Sequence, residues 1–161
     1  MASEDQLFPD HNGFDIKAIK MAMKYNKKHT NKVRGASTIS QQVAKNVFLW
    51  QGRSMFRKGL EIYFTFMIEK LWSKKRILEM YLNVAEMGKG VFGVQAASKA
   101  YFNKDAKNLS RAEAAMIAAT LPNPKVYTIK PLSNYVAYRY NYILHQMNNL
   151  EGDENIDELI K

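Results

Sequence analysis

The sequence predicts an all-α domain, and three observations carry that prediction. Apolar residues recur at helical spacing through most of the chain, whereas the alternation of period two that is typical of strands is nearly absent. Two segments open with Ser or Thr followed three residues later by Glu or Gln, which is the capping box of a helix N-terminus. The chain has 161 residues, of which 47% are hydrophobic, so it can build one sizeable core.

The first third of the chain predicts a loop followed by two helices. Residues 4–13, "EDQLFPDHNG", contain proline and glycine breakers and read as a loop. Asp15 can cap a helix that runs to about Tyr25. The basic connection "NKKHTNKVRG" then leads to a helix from about Thr38 to Leu49, which Gly52 ends.

The remainder of the chain predicts further helices. The pattern is helical from Ser54 to about Ala85, with one interruption near Ser73, and two glycines end this segment. "VFGVQAASKAYF" predicts another helix. In "LSRAEAAMIAATL" Ser110 opens a capping box and Pro122 stops the helix. "NYVAYRYNYILHQMNNL", starting near Ser133, predicts the last one.

Charge divides the chain into a basic domain, residues 1–150, and an acidic tail, residues 151–161. The net charge is +9, and the tail "EGDENIDELIK" has five acids and one lysine, which leaves +13 on the domain. Such a surplus favours an anionic partner, whether nucleic acid, a phosphorylated substrate or an anionic membrane. The absence of cysteine excludes disulfides, cysteine nucleophiles and thiolate metal sites.

The segment "STISQQVAKN" presents an unusual polar helix face. Gln41, Gln42, Lys45 and Asn46 fall within one arc of roughly 140°, opposite the apolar residues of the same helix. No acid on this arc neutralises the lysine. Amides match hydroxyl and acetamido groups as both donors and acceptors, and an ammonium matches phosphate. The pattern therefore indicates a binding surface.

The first loop carries two adjacent carboxylates, Glu4 and Asp5, with His11 nearby. One interpretation is that these acids are simply solvated. The other is that a loop carboxylate on a rigid helical scaffold serves as a general base. His11 alone is weak evidence of chemistry and is interpreted as a hydrogen-bonded structural residue.

"RSMFRKGLE" holds a further carboxylate, Glu61, with Arg57 and Lys58 one turn before it. A surface ion pair is one interpretation, but base before acid is the less favourable helical order, and two cations face one acid. The alternative is an ionised glutamate within a cationic cluster beside an anion site. Arg53, one turn before Arg57, could join that cluster.

Five segments in this order resemble the five motifs of the peptidoglycan glycosyltransferases. They are "EDQLFPDHNGFD", "GASTISQQVAKN", "RKGLE", "KKRILEMYLN" and "AASKAYF". This family comprises the glycosyltransferase domain of class A penicillin-binding proteins and the monofunctional biosynthetic transglycosylases. The resemblance runs to about Leu150, and since no transpeptidase domain follows, the monofunctional type is the closer match. It implies a lysozyme-like all-α fold with a long cleft and a smaller, membrane-proximal hydrophobic lobe.

The resemblance also implies a reaction. The growing glycan chain is transferred, with inversion, to the 4-hydroxyl of lipid II, and undecaprenyl pyrophosphate is released. Glu4 matches the family's base and Glu61 its second essential glutamate, expected here to hold a cationic cluster or a divalent ion such as Mg²⁺. The expected substrate-binding residues are Asp5, Ser37, Thr38, Gln41, Gln42, Lys45, Asn46, Arg53, Arg57 and Lys58.

The implied partners are lipid II, the growing glycan chain, membrane lipid, moenomycin-type inhibitors and other cell-wall synthesis proteins, but no nucleic acid. The implied location is the outer face of the bacterial cytoplasmic membrane, with a single-pass anchor upstream of this sequence. We expect the apolar residues around Gly52 to meet the membrane interface, although an ordinary core turn is the alternative. They are Phe48, Leu49, Trp50, Met55 and Phe56.

Three other functions stay open at this stage. A lysozyme-like hydrolase or a lytic transglycosylase would share the fold class and the substrate polymer, but would need an acid with a raised pKa in an apolar pocket. A basic helical nucleic-acid-binding module fits the charge, while the carboxylates and the amide face argue against it. The third alternative is an inactive fragment.

Overall fold

The computed structural model describes residues 1–29, 34–52 and 54–160. These residues form eight α-helices and one two-stranded hairpin, so the predicted all-α, lysozyme-like class is confirmed. The helices are α1 (Ile16–Lys28), α2 (Ile39–Phe48), α3 (Met55–Leu71), α4 (Lys74–Val84), α5 (Val94–Phe102), α6 (Arg111–Thr120), α7 (Asn134–Asn149) and α8 (Glu154–Ile160). The strands are β1 (Glu86–Gly88) and β2 (Val91–Phe92), and they pair antiparallel.

Helix starts were the most predictable feature, because a polar side chain caps most of the helices; α5, which follows Gly93, has no side-chain cap. Asp15 accepts from the N–H of Ala18 and opens α1. Thr38 and Ser110 each form the predicted reciprocal capping box, at α2 and α6. Ser73 caps α4 at the predicted interruption between α3 and α4. Satisfying these otherwise unpaired N–H groups stabilises each helix by about 1 kcal/mol.

Two elements differ from the prediction. The hairpin takes Val91 and Phe92, which were assigned to the helix that in fact begins at Val94, after Gly93. The predicted last helix, α7, is followed by α8 in the acidic tail, and α8 buries Ile156 and Leu159 against the domain. Both elements are too short for periodicity to reveal them, since strands of three and two residues show no alternation and seven residues span about two turns.

The core is built around α2, which packs against α3 and α4, while α6 packs against α7. The N-terminal segment joins this core through Phe8, whose side chain is fully buried. α2 therefore has one side fixed in the core, and the rest of its surface is left for the cleft described below.

A second surface of the molecule is apolar and exposed, and we call it the apolar lip. It consists of Phe48, Trp50, Met55, Phe56, Ile62, Tyr63 and Phe66, from the end of α2 and along α3. Met55 is 87% exposed and Phe56 is 71% exposed. Exposed apolar patches of this kind mark interaction surfaces. None of the described helices has the length and apolarity needed to cross a bilayer.

Candidate active site

The loop that carries Glu4 has no regular structure, so hydrogen bonds from three helices must hold it in place. Asp5 is buried and accepts from the N–H of Ile39 at 2.9 Å, at the first turn of α2. A carboxylate at a helix N-terminus is stabilised by the helix dipole and by the unpaired N–H groups there. Asp5 therefore fastens the loop to α2.

His11 completes that attachment. Its Nδ1 accepts from the N–H of Gly13 at 3.2 Å, so the ring proton lies on Nε2, which donates to Asp5 at 3.0 Å. The Lys74 ammonium donates to the carbonyl of His11 and lies 4.6 Å from the centre of the Phe8 ring. His11 thus has the hydrogen-bonded structural position that the sequence suggested.

Gly13 closes the loop where no larger residue fits. Its φ is +84°, and a Cβ there would come within 2.8 Å of Thr65 Cγ2 in α3. Its carbonyl accepts from Thr38 Oγ1 at 2.6 Å. The glycine therefore allows the loop to reach α2 and α3 at once, which the breaker pattern of the sequence did not reveal.

Glu4 is the functional group that this loop presents. Gln42 Nε2 of α2 donates to its carboxylate at 3.3 Å. Burial raises the pKa of the Glu4 carboxyl above its usual range, while the hydrogen bond from Gln42 and the charge of Arg139 act in the opposite direction. A carboxyl whose pKa is raised toward neutrality is suited to accept and return protons.

Glu4 lines a cleft of about 810 Å³. Its walls come from the first loop, α1, residues 34–38, α2, residues 121–122 and α7. The predicted site residues that line it are Glu4, Asp5, Ser37, Thr38, Gln42 and Lys45. Within the described ranges no acid lies in ion-pair contact with Lys45, so its charge is directed to the cleft.

The structure places the other predicted residues elsewhere. Gln41 is buried, because as the third helical residue it turns back to accept from the N–H of Thr38. Asn46 is exposed and does not line the cleft. The polar arc predicted on α2 is therefore split, and of its four members only Gln42 and Lys45 face the cleft. Arg53 lies outside the described residues.

Glu61 also lies outside the lining of the cleft, in a different environment. Its side chain is buried in α3 and accepts from Lys58 Nζ at 2.5 Å. Arg57 forms no ion pair with it, and the buried Nε of Arg57 has no hydrogen-bond partner in the part of the chain that the structure describes. Of the two predicted cations, only Lys58 contacts the carboxylate.

A divalent cation has few ligands here. No group of three or more carboxylate or imidazole side chains that could hold a metal ion occurs in residues 1–29, 34–52 and 54–160. The one candidate ligand, Glu61, already accepts from an ammonium. Protein sites for Mg²⁺ use carboxylates that are free to coordinate. The residues present therefore do not fit a metal site by themselves.

Sequence reasoning missed the contribution of α7 to the cleft. Arg139 and Tyr142 line it, across from α2. The guanidinium of Arg139 lies 4.6 Å from the centre of the Tyr142 ring. A single arginine in a tyrosine-rich helix carries no motif, so only the fold brings it to Glu4, 135 positions earlier in the chain.

Comparison with known proteins identifies one family. A family model described as Transglycosylase matches residues 1–148. A biosynthetic peptidoglycan transglycosylase of Mannheimia succiniciproducens is 59% identical over 150 residues, which are 93% of this chain and 61% of that protein. Its counterpart in Yersinia pseudotuberculosis is 54% identical over 158 residues, 98% of this chain and 66% of that protein. The chain thus spans just under two thirds of the length of these relatives.

Proposed function

Since the chain belongs to the transglycosylase family, we propose that it is a peptidoglycan glycosyltransferase that polymerises lipid II into glycan strands. The observation that carries the proposal is the position of Glu4. It is a carboxylate with a raised pKa, held by a fixed loop and facing a large polar cleft.

Glu4 is the general base of this reaction. The 4-hydroxyl of lipid II is a poor nucleophile, so it must lose its proton as it attacks. A bond forms between the acceptor oxygen and the anomeric carbon of the growing chain, and the bond from that carbon to pyrophosphate breaks with inversion. The proton goes to Glu4, and the bonding electrons leave with undecaprenyl pyrophosphate.

In that step Gln42 acts on the base and Lys45 acts on the leaving group. Gln42 donates to Glu4 at 3.3 Å and so orients the carboxylate. Lys45 presents an unpaired ammonium to the same cleft, where it can bind the pyrophosphate as negative charge develops. Ser37 and Thr38, at the entry to α2, complete the polar wall.

Glu61 has a supporting role in the proposal. Its contact with Lys58 holds a positive charge at the start of α3, beside the apolar lip. In this role Lys58 supplies the positive charge that Glu61 would otherwise take from Mg²⁺. Turnover measured with Mg²⁺ and with a chelator tests this assignment.

The proposal places the enzyme at a membrane surface on the outer face of the cytoplasmic membrane. The apolar lip provides a surface for lipid tails, and the basic charge of residues 1–150 suits anionic headgroups and lipid pyrophosphate. A flotation assay with anionic vesicles tests it. Replacing Met55 and Phe56 by serine should reduce binding, whereas the same change at Val126, exposed but outside the lip, should not.

One observation favours a second candidate, cleavage of peptidoglycan by a lysozyme-like mechanism. The raised pKa of Glu4 is also the property of a general acid that protonates a leaving sugar oxygen. The family assignment favours synthesis, and so does the Lys45 ammonium, which lines the cleft without an acidic partner among the described residues. Cleavage of a glycosidic bond releases no pyrophosphate for this cation to bind.

Incubation with labelled lipid II tests the proposal directly. Polymeric glycan that moenomycin-type phosphoglycolipids suppress supports it. Release of short fragments from preformed glycan would instead assign cleavage, and no product from either substrate would contradict both candidates. Filter binding with DNA and RNA covers the nucleic-acid alternative, for which we expect no specific binding.

A further inference from the structure

Arg139 contacts the loop that carries Glu4. It lies on α7, lines the same cleft as Glu4, and directs Nη2 toward the carbonyl of Ser3 at 3.5 Å. Ser3 immediately precedes Glu4, so the guanidinium touches the backbone that carries the carboxylate. Stacking on Tyr142 fixes the plane of the guanidinium from the other side.

The hydrogen-bonding capacity of Arg139 is only partly used. Its Nε is buried and has no hydrogen-bond partner in the described chain, and no acid there lies within 4 Å of its guanidinium. A buried donor without a partner costs free energy, so such a group needs an explanation. Glu4 is a carboxyl whose ionisation the Arg139 charge favours.

We propose that Arg139 is a positioning residue for Glu4, which holds the Ser3–Glu4 backbone against α7 and keeps a positive charge facing the base. This inference rests on the proposed function, in which Glu4 must be ionised when the acceptor hydroxyl arrives. Burial raises the pKa of the Glu4 carboxyl and so disfavours its charged form. A fixed cation nearby favours the charged form without a direct ion pair that would compete with the substrate proton.

The other groups that face Glu4 do not supply this charge. Tyr81 on α4 and Tyr135 on α7 both have a pKa raised by burial, so both stay neutral near pH 7. Asp5, next to Glu4, contributes negative charge and opposes its ionisation. Gln42 is neutral, and Lys45 and Arg34 line the cleft but are not among the side chains whose charge acts on the Glu4 pKa. Arg139 is therefore the side-chain cation that favours the ionised form of Glu4, and a guanidinium is permanently charged.

The test compares Arg139→Gln, which removes the charge, with Arg139→Lys, which keeps it. Arg76→Gln is the matched control, because Arg76 pairs with Glu79 on the exposed surface of α4. The direct readout is the titration of the Glu4 carboxyl by NMR of protein labelled with ¹³C-glutamate, assigned through Glu4→Gln. We expect Glu4 to titrate at higher pH in Arg139→Gln, and close to the wild-type pH in Arg139→Lys and Arg76→Gln.

Kinetics give the second readout. In Arg139→Gln, kcat on the acidic side of the pH profile should fall roughly three- to tenfold, as expected for the loss of one nearby charge, with less effect on the alkaline plateau. A loss confined to KM at every pH would assign Arg139 to substrate binding and overturn the positioning role.

An unchanged titration of Glu4 in Arg139→Gln would also overturn the inference. If Arg139→Gln does not fold, Arg139→Lys decides alone. Lysine keeps the charge but cannot reproduce the guanidinium contact with the Ser3 carbonyl, so a wild-type kcat over the whole pH range would exclude a holding role. The NMR titration needs no turnover. Failure of wild-type protein to polymerise lipid II would therefore contradict the proposed function and leave this inference to be judged separately.

Discussion

Glu4 is partly buried and Glu61 is buried, and the two carboxylates lie in opposite surroundings. Glu4 lies on an irregular loop, accepts from a neutral amide and faces a cleft. Glu61 lies within α3 and accepts from the ammonium of Lys58. The first carboxylate is open to a ligand in the cleft, whereas one oxygen of the second already accepts from the Lys58 ammonium. Residue type alone therefore does not decide the role of these two glutamates; the group that contacts each carboxylate does.

The two nearby lysines repeat this contrast. Lys58 is paired with Glu61, while Lys45 of α2 has no acidic partner in the described chain and lines the cleft. A paired cation contributes to the fold, and an unpaired one is available to a ligand. The comparison thus predicts that changes around Glu4 affect catalysis and binding first, and that changes around Glu61 affect stability first.

Glu4→Gln should have the largest effect. Glutamine keeps the size and the hydrogen bonding of the side chain but removes its basicity, so turnover on lipid II should fall about 10²- to 10⁴-fold, with binding of a moenomycin-type inhibitor nearly intact. Glu61→Gln, assayed with and without Mg²⁺, is the matched variant. Near-normal turnover in Glu4→Gln together with no turnover in Glu61→Gln would reverse the two roles.

The same variant should be more stable than wild type at neutral pH. Because burial raises the pKa of Glu4, the native state binds this proton more tightly than the unfolded chain. The free energy of unfolding therefore falls as pH rises from about 4.3, the ordinary glutamate value, through the raised native value. Urea denaturation should show Glu4→Gln above wild type at pH 7 and the difference gone below about pH 4. A variant less stable than wild type at pH 7 would show that the Glu4 charge is not a cost to the fold.

Lys58→Met should destabilise the protein more than Glu61→Gln does. Lys58 is 46% exposed and can turn its ammonium to water when Glu61 is lost, but the buried Glu61 carboxylate cannot reach water when Lys58 is lost. We expect a cost of about 1–3 kcal/mol for Lys58→Met and less than about 1 kcal/mol for Glu61→Gln. Urea denaturation of both variants and of the double variant measures the difference. Equal costs would show that the carboxylate is less confined than its burial indicates.

Lys45→Ala should weaken ligand binding while the fold stays intact. Loss of one charge-assisted hydrogen bond to phosphate costs about 1–3 kcal/mol of binding free energy. Calorimetry with a moenomycin-type phosphoglycolipid gives the affinity, and thermal unfolding should be close to wild type. Lys24→Ala, on the exposed surface of α1, is the control for general charge. If both lysines change the affinity equally, the effect is long-range attraction and not a contact.

These contrasts could be predicted from sequence only where they depend on local chemistry. The caps of α1, α2, α4 and α6 were predictable because an N-terminal Ser, Thr or Asp acts within one turn of itself. Lys58 and Glu61 are one helical turn apart, so their contact could also be predicted from their spacing in the sequence.

Contacts across the fold were not predictable in this way. Asp5 lines the cleft, as expected of a substrate-binding residue, but its contacts with His11 and with the N–H of Ile39 were not predicted. Gln41 was assigned to the cleft face, although its capping role turns it inward. Arg139 had no motif at all. In each case the deciding partner depends on tertiary packing or on a choice between two valid local contacts, and periodicity encodes neither.

Tyr81→Phe should have the smallest effect of these substitutions, and it tests the surroundings of Glu4 on the side of the core. The Tyr81 ring lies in the core, and its buried hydroxyl has no hydrogen-bond partner among the described residues. Burial, with the nearby carboxylates, raises its pKa, so the hydroxyl stays protonated. Removing an unpaired buried hydroxyl should leave the free energy of unfolding unchanged or raise it by less than about 1 kcal/mol.

Tyr101→Phe is the matched control for that last change, because the Tyr101 hydroxyl donates to the carbonyl of Met87 at 3.2 Å. Loss of this bond should cost about 0.5–1.5 kcal/mol in the same urea titration. If Tyr81→Phe costs as much as Tyr101→Phe, its hydroxyl must have a partner in solution. The Glu4 and Asp5 carboxylates are close enough to raise the Tyr81 pKa, and a bridging water to Glu4 would then hold the base from the core side while Arg139 holds it from α7. A parallel loss of turnover in Tyr81→Phe would establish that link, since a purely structural water would change stability alone.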